Sequence, residues 1–144
     1  MRIYLVQHGK AKSEEEDPEK PLMDEGRKET EAVAKSLKRK IKVSKIYCSK
    51  KLRAIQTAEI FSKALAPGTN AESVDGLAPT DPIDRALELL GDGVMIVGHL
   101  PHLSKLASKL LVHDETREIV KFTNSGVLCL EKEEMWRLVF YLVP

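Results

Sequence analysis

Short apolar runs alternate along the chain with longer amphipathic stretches. Residues 2–6 and 94–97 are rich in β-branched and other apolar residues, which is typical of strands buried on both faces of a parallel sheet. Residues 43–48 form a third apolar run. Strands alternate with helical stretches four times, so the pattern predicts an α/β fold, a three-layer sandwich with a mostly parallel sheet between helices.

The helical stretches repeat their apolar positions with the period of an α-helix. Ala54, Ala58 and Phe61 form one such buried stripe. Helices are expected over residues 24–39, from Ser49 with that serine as N-cap, from Pro82 with Asp81 as N-cap, and after His102. Residues 126–130 and 136–143 alternate in polarity and predict a closing antiparallel pair.

Length and composition indicate one globular domain over residues 1–144. The formal net charge of +1 is not the strongly positive charge typical of nucleic-acid-binding proteins. No apolar stretch approaches the ~20 residues of a membrane span. The chain enters its first strand at once, so no signal peptide is expected. Cys48 and Cys129 lie far apart, each in or beside a predicted strand. We expect two reduced core thiols and a cytoplasmic location.

Two histidines follow two of the predicted strands. His8 and Gly9 follow the first strand, and His99 follows the strand over residues 94–97. The carboxyl ends of parallel strands meet at one edge, where ligands bind in open α/β sheets. Arg53 opens the helix after a third strand and faces the same edge. Two imidazoles, a guanidinium and a helix N-terminus suit a phosphoryl group, because histidine attacks phosphorus while cations hold its oxygens.

Other residues near this edge have weaker claims to a role. Lys10, Lys12 and Lys20 follow His8 in a charged loop and are candidates to line an anion site. His102 is a candidate for substrate contact. The spacing from His99 to His102 also suits a metal, but no clear third ligand stands nearby, so we expect no metal.

Three motifs, in order along nearly the whole chain, resemble those of the histidine phosphatase (phosphoglycerate mutase-like) superfamily. Residues 5–11, LVQHGKA, resemble its Arg-His-Gly motif. Residues 49–58, SKKLRAIQTA, resemble Ser-Pro-x-x-Arg-Ala-x-Gln-Thr-Ala, and residues 97–104, VGHLPHLS, resemble a Gly-His-Asn-Pro segment. Residues 17–26 are similar to the Arg-Pro-Leu-Thr-x-x-Gly stretch of the short phosphohistidine phosphatases of the SixA type.

The resemblance implies a phosphoglycerate mutase-like fold and a role for each motif residue. His8 is then the nucleophile, Arg53 holds the phosphate, and His99 stabilises the transferring group. Gln7, Gly9, Lys10 and His102 are the expected phosphate-binding residues, and no metal or cofactor is needed. Asp81 is the first candidate for a general acid and Asp75 the second, although Asp81 is also the expected helix cap.

Two residues depart from the family pattern. Lys50 stands where the family has proline, which is expected to alter only the turn. Gln7 replaces the arginine of the first motif, so the pocket loses one positive charge and the paired N–H donors of a guanidinium group. Because charge-assisted hydrogen bonds contribute ~1.5–3 kcal/mol, the loss corresponds to roughly one to two powers of ten in rate. Lys10 is expected to replace part of that charge.

The function implied is a phosphatase acting through phospho-His8, of the SixA type, on phosphohistidine in a protein. Larger members of the superfamily carry insertions that roof the pocket and supply an acid, and a chain of 144 residues leaves no room for them. An open crevice admits a phosphorylated protein. Two alternatives remain: a phosphatase for small phosphate esters, and a phosphate- or phosphoprotein-binding module with little turnover, which Gln7 allows.

Overall fold

Six strands and four helices alternate in the computed structural model, which describes residues 1–144. The strands are β1 (Arg2–Gln7), β2 (Lys45–Cys48), β3 (Glu72–Ser73), β4 (Val94–Gly98), β5 (Val127–Lys132) and β6 (Trp136–Leu142). The helices are α1 (Asp24–Leu37), α2 (Leu52–Leu65), α3 (Asp84–Leu89) and α4 (His102–Val112). The predicted α/β architecture with helices flanking a mostly parallel sheet is confirmed.

The sheet has the strand order β3-β2-β4-β1-β5-β6. The four strands β1 to β4 are parallel, and β5 and β6 run antiparallel to their neighbours as the predicted closing pair. The two most apolar strands, β1 and β4, lie at the centre and pair from Ile3↔Val94 to Gln7↔Gly98. Since this pairing ends on matched residues, the chain leaves both strands at the same level.

The hydrophobic core lies on both faces of the sheet. Tyr4 and Val6 pack with α1 and α2 on one face, and Ile3 and Leu5 pack with α3 and α4 on the other. The alternation along β1 produces this division, because successive side chains of a strand point to opposite faces. Cys48 and Cys129 are buried and unpaired, as expected. No helix combines the length and the apolarity that crossing a membrane requires.

The predicted helix starts are wrong at two places. Helix α2 begins at Leu52, and Ser49 is not its N-cap because its hydroxyl bonds to His99 instead. Helix α3 begins at Asp84, and Asp81 instead accepts the backbone N–H of Ala78 at 2.9 Å within the preceding turn. In both cases the polar side chain stabilises the loop that leads into the helix, and the helix starts later. Helix α1 also ends before Arg39, which has φ = 67°.

Helix α1 packs directly against the loop that follows His8. The N–H of Met23 donates to the carbonyl oxygen of Lys10 at 2.9 Å, and the loop backbone lies against Gly26 in the first turns of the helix. A Cβ at Gly26 would stand 2.8 Å from the backbone nitrogen of Lys10 and closer still to its carbonyl oxygen. Glycine here therefore permits close approach of two backbones.

We expect Gly26→Ala to destabilise the protein, although alanine is the better helix former by about 1 kcal/mol. The added methyl group meets backbone that has no room to move, so we expect a net loss of about 1–3 kcal/mol. Urea unfolding measures the change. Gly91→Ala is the matched control, since its Cβ would meet only Val94 at 3.5 Å. Unchanged or increased stability of the Gly26 variant would contradict this packing.

Candidate active site

His8 lies immediately beyond β1, where neighbouring segments hold its backbone. Its N–H donates to the carbonyl of Gly98 at 3.0 Å, and its own carbonyl accepts the side-chain amide of Asn124 at 2.9 Å. The ring Nδ1 is 2.7 Å from the carbonyl oxygen of Gly9. Because a carbonyl can only accept, Nδ1 carries the proton and the lone pair of the neutral ring is on Nε2.

Helix α2 secures the loop around His8. The N–H of Gly9 donates to the hydroxyl of Thr57 at 2.9 Å, and that hydroxyl donates to the carbonyl of Arg53 at 2.7 Å. The side-chain oxygen of Gln56, the residue before Thr57, accepts the N–H of Leu22 at 2.8 Å. Thr57 and Gln56, both from the motif over residues 49–58, thus bind the loop after His8 and the segment at Leu22.

His99 lies directly behind His8. The centroids of the two rings are 5.0 Å apart, with their planes inclined by 53°. His99 is only 1% exposed, its Nε2 is 2.6 Å from the hydroxyl of Ser49, and its Nδ1 is buried with no partner. The predicted convergence of the two histidines is present, but His99 lies beneath the site and does not form its wall.

Burial keeps both imidazoles neutral. It lowers the pKa of His8 to about 4; the bond to Gly9 opposes this, and the charges of Arg53 and Lys20 add to it. Burial likewise lowers the pKa of His99 to about 3, with further contributions from His8 and Arg53. At neutral pH the Nε2 of His8 therefore holds a free lone pair, as a nucleophile requires.

A surface cleft of about 430 Å³ opens at His8. Its wall consists of His8, Lys10, Ala11, Lys12, Ser13, Lys20, Met23, Arg53 and Asn124. No carboxylate forms an ion pair with Lys12, Lys20 or Arg53. Arg53 comes from the first turn of α2, where the helix dipole also favours an anion. Several unpaired cations around a neutral histidine make this cleft suited to a phosphoryl group.

Lys10 lines the cleft, but its charge is already engaged. Its Nζ lies 2.8 Å from a carboxylate oxygen of Glu25 and 3.5 Å from one of Glu29. Because these two carboxylates offset its charge, the replacement of the missing arginine by Lys10 stays a prediction. Lys12 and Lys20, which have no such pairs, are better placed to do so.

Gln7 does not line the cleft either. It ends β1 on the face that Ile3 and Leu5 share, and its backbone carbonyl accepts the N–H of Ser125 at 2.9 Å. Its side-chain oxygen is buried without a partner. The position of Gln7 therefore does not support the expectation that it binds phosphate, since its side chain is not part of the cleft wall.

The remaining candidates stand apart from the cleft. His102 is buried at the start of α4 and is not part of the cleft wall. Asp81 and Asp75 line a separate cavity, and Asp75 pairs with Lys50 at 3.4 Å. Neither carboxylate reaches the cleft wall as a general acid would. No group of three or more His, Cys, Asp or Glu side chains is placed to hold a metal ion.

Asn124 is a polar cleft residue near His8 that the sequence did not indicate. It lies in the segment before β5, far from the motifs in sequence, and reaches His8 because β5 pairs with β1. The N–H of the preceding Thr123 donates to the hydroxyl of Tyr141 at 2.6 Å, which holds this segment against β6. Only the sheet order brings Asn124 to the site.

A family model described as "Histidine phosphatase superfamily (branch 1)" matches residues 3–81. No curated protein matches the chain. The residues matched by the family model include His8 and Arg53 and end before His99.

Solved structures of phosphatases share the whole fold. The protein histidine phosphatase SixA complexed with tungstate has a TM-score of 0.83 at 23% identity, covering 99% of this chain and 97% of that one. A protein named as phosphohistidine phosphatase SixA from Agrobacterium tumefaciens has a TM-score of 0.82 at 26% identity, with the same coverage. Phosphoserine phosphatase from Entamoeba histolytica has a TM-score of 0.76 at 15% identity, covering 97% and 95%.

We expect both buried histidines to remain neutral far below the ordinary histidine pKa of about 6.5. A ¹⁵N NMR titration should give a pKa of about 4 for His8 and about 3 for His99. Between pH 6.5 and those values the unfolded chain binds more protons than the folded protein, so the free energy of unfolding should fall as the pH is lowered. A midpoint near 6.5 for either ring would contradict the described burial.

We expect Arg53→Ala to weaken binding of phosphate or vanadate much more than Lys10→Ala. Arg53 has no ion pair and sits on a helix, whereas the ammonium of Lys10 is held by Glu25 and Glu29. Calorimetry should show a loss of roughly tenfold or more for the arginine variant, the equivalent of about 1.4 kcal/mol. Equal losses from the two substitutions would mean that the anion binds elsewhere in the cleft.

Proposed function

The chain belongs to branch 1 of the histidine phosphatase superfamily, and on that premise we propose that it hydrolyses phosphoryl compounds through a phosphorylated His8. The observation that carries this proposal is the state of His8. Its proton is held on Nδ1 by Gly9, its Nε2 is unprotonated, and it opens onto a cleft lined by cations. These are the properties of a nucleophile towards phosphorus.

In the proposed reaction, the lone pair of His8 Nε2 attacks the phosphorus atom. A P–N bond forms as the bond to the leaving group breaks, and the leaving group departs with that electron pair. Arg53, with Lys12 and Lys20, binds the phosphoryl oxygens, where negative charge is concentrated in the transition state. Water then attacks the phosphorus of phospho-His8, and the P–N bond breaks with its electron pair returning to Nε2. Phosphate leaves with the protons of the water, and the neutral imidazole is restored with its tautomer held by Gly9.

For the substrate we propose phosphohistidine carried by a protein. None of the nine residues on the cleft wall is a carboxylate, so no general acid stands ready to protonate an alkoxide. The imidazole of phosphohistidine needs less help, because its P–N bond is labile and imidazole leaves readily. The alignment with SixA structures over nearly the full length of both chains supports an unroofed cleft, which a protein-borne phosphoryl group can enter.

We expect the wild-type protein to turn over a phosphohistidine peptide faster than small phosphate esters. Brief incubation with the peptide should leave an acid-labile, alkali-stable phosphoryl label on the protein. His8→Asn should lose both the label and the turnover while remaining folded by circular dichroism. His113→Asn, at an exposed histidine whose left-handed backbone suits asparagine, should retain both.

The alternatives predict different results in the same assay. Preference for esters would overturn the phosphohistidine substrate and retain the phosphatase. Saturable binding of phosphopeptide by the wild type, with neither label nor turnover, would indicate a binding module. Label that persists on the His8 variant would remove His8 as the nucleophile.

A further inference from the structure

Ser49 and His99 form a buried polar pair beneath the cleft. Both residues are 1% exposed, and the serine hydroxyl lies 2.6 Å from the histidine Nε2. Nothing in the phosphoryl-transfer scheme above uses Ser49. The backbone N–H of Ser49 donates to the carbonyl of Val97 at 3.3 Å, and its hydroxyl oxygen accepts the N–H of Lys51 at 3.3 Å. The backbone and the hydroxyl of Ser49 are thus both held in place.

Counting protons shows which way this hydrogen bond runs. If Nε2 of His99 donated to Ser49, then the serine proton and the lone pair on Nδ1 would both be buried without partners. If Ser49 donates to Nε2, the serine is satisfied, and the N–H on Nδ1 is the only orphaned group. Leaving a buried polar group without a partner costs free energy, so the second arrangement, which leaves only one such group, is favoured. The proton of neutral His99 is therefore on Nδ1.

The orphaned N–H belongs to the ring that stands 5.0 Å, centroid to centroid, from the ring of His8. A buried donor without an acceptor favours any ligand that supplies one. A phosphoryl group on its way to His8 carries three oxygen acceptors into this neighbourhood, and an N–H held in advance costs no reorganisation when charge develops. A ring that could exchange tautomers would in one of them offer a lone pair on Nδ1, and a lone pair repels a phosphoryl oxygen.

We propose that Ser49 is a positioning residue that holds the proton of His99 on Nδ1 and so presents that N–H to the transferring phosphoryl group. The kinetic part of this inference rests on the proposed function, but the tautomer of His99 does not. The two histidines then share one arrangement. Each keeps its proton on Nδ1, His8 through the carbonyl of Gly9 and His99 through the hydroxyl of Ser49.

The tautomer is tested directly by ¹⁵N NMR of the ring nitrogens. We expect the wild-type His99 to show a protonated Nδ1 and an unprotonated Nε2 that accepts a hydrogen bond. Ser49→Ala should give averaged ring shifts, and Ser49→Thr, which keeps the hydroxyl, should restore the wild-type pattern. Ser108→Ala is the matched control, because Ser108 is also buried but its hydroxyl has no partner. It should change neither ring.

Kinetics on a phosphohistidine peptide test the consequence. Ser49→Ala should lower kcat by roughly tenfold to a hundredfold with little change in KM, as expected for an interaction made in the transition state. Ser49→Thr should recover most of kcat, and Ser108→Ala should match the wild type. If the threonine variant does not fold, the alanine variant and the NMR tautomer decide the question.

The outcomes that would overturn this inference differ from the outcome that would remove the proposed function. A wild-type His99 protonated on Nε2, or a Ser49→Ala variant with unchanged ring shifts, would overturn the inference. Unchanged kcat in that variant would also overturn it. A wild type that has the expected tautomer but turns over no phosphoryl substrate would support the role of Ser49 in holding His99 and would remove the proposed function instead.

Discussion

The in-register parallel pairing of β1 with β4 is the constraint on which the rest of the site depends. Gln7 pairs with Gly98 as the last matched residues of the two strands, so His8 and His99 leave the sheet side by side. The N–H of His8 bonds across to the carbonyl of Gly98, which continues the pairing one residue beyond the strand. A slip of one residue would turn one of the two side chains to the other face of the sheet.

Around that pair, three segments from different parts of the chain hold the loop after β1. Helix α1 lies against the loop at Gly26, helix α2 binds the N–H of Gly9 through Thr57, and Asn124 binds the carbonyl of His8. The contacts from Thr57 and Asn124 each satisfy a backbone polar group that would otherwise lack a partner near the core. The loop that carries His8, the proposed nucleophile, is therefore held by contacts from three segments, as preorganised chemistry requires.

The electrostatics of the site follow from the same packing. Removing the imidazoles from water lowers the pKa of both, and the surrounding cations act in the same direction. The cations themselves stay at the cleft surface, where only Lys10 is neutralised by carboxylates. The buried imidazoles are neutral, and the unpaired positive charges lie on the cleft wall. Different groups would therefore supply the nucleophile and bind the anion. In the proposed reaction, a phosphoryl group in the cleft meets the nucleophile and the cations together.

Much of this arrangement could be predicted from the sequence. Apolar runs that end in a histidine, and a helix that opens with an arginine, are local patterns, so the α/β fold and the grouping of His8, His99 and Arg53 at one sheet edge followed from them. The helix starts could not be predicted in the same way. Ser49 and Asp81 have the residue type of an N-cap, but each hydrogen-bonds to a loop partner that only the folded chain supplies.

Tertiary structure alone decided which charges remain free and which side chains reach the cleft. Lys10 meets Glu25 and Glu29 because α1 packs on its loop, His102 is buried by the packing of α4, and Asn124 arrives from the far end of the chain through β5. Residue type and local spacing determine what a side chain is able to do. Burial and partnership between distant segments, which no local pattern encodes, determine whether it is in a position to do it.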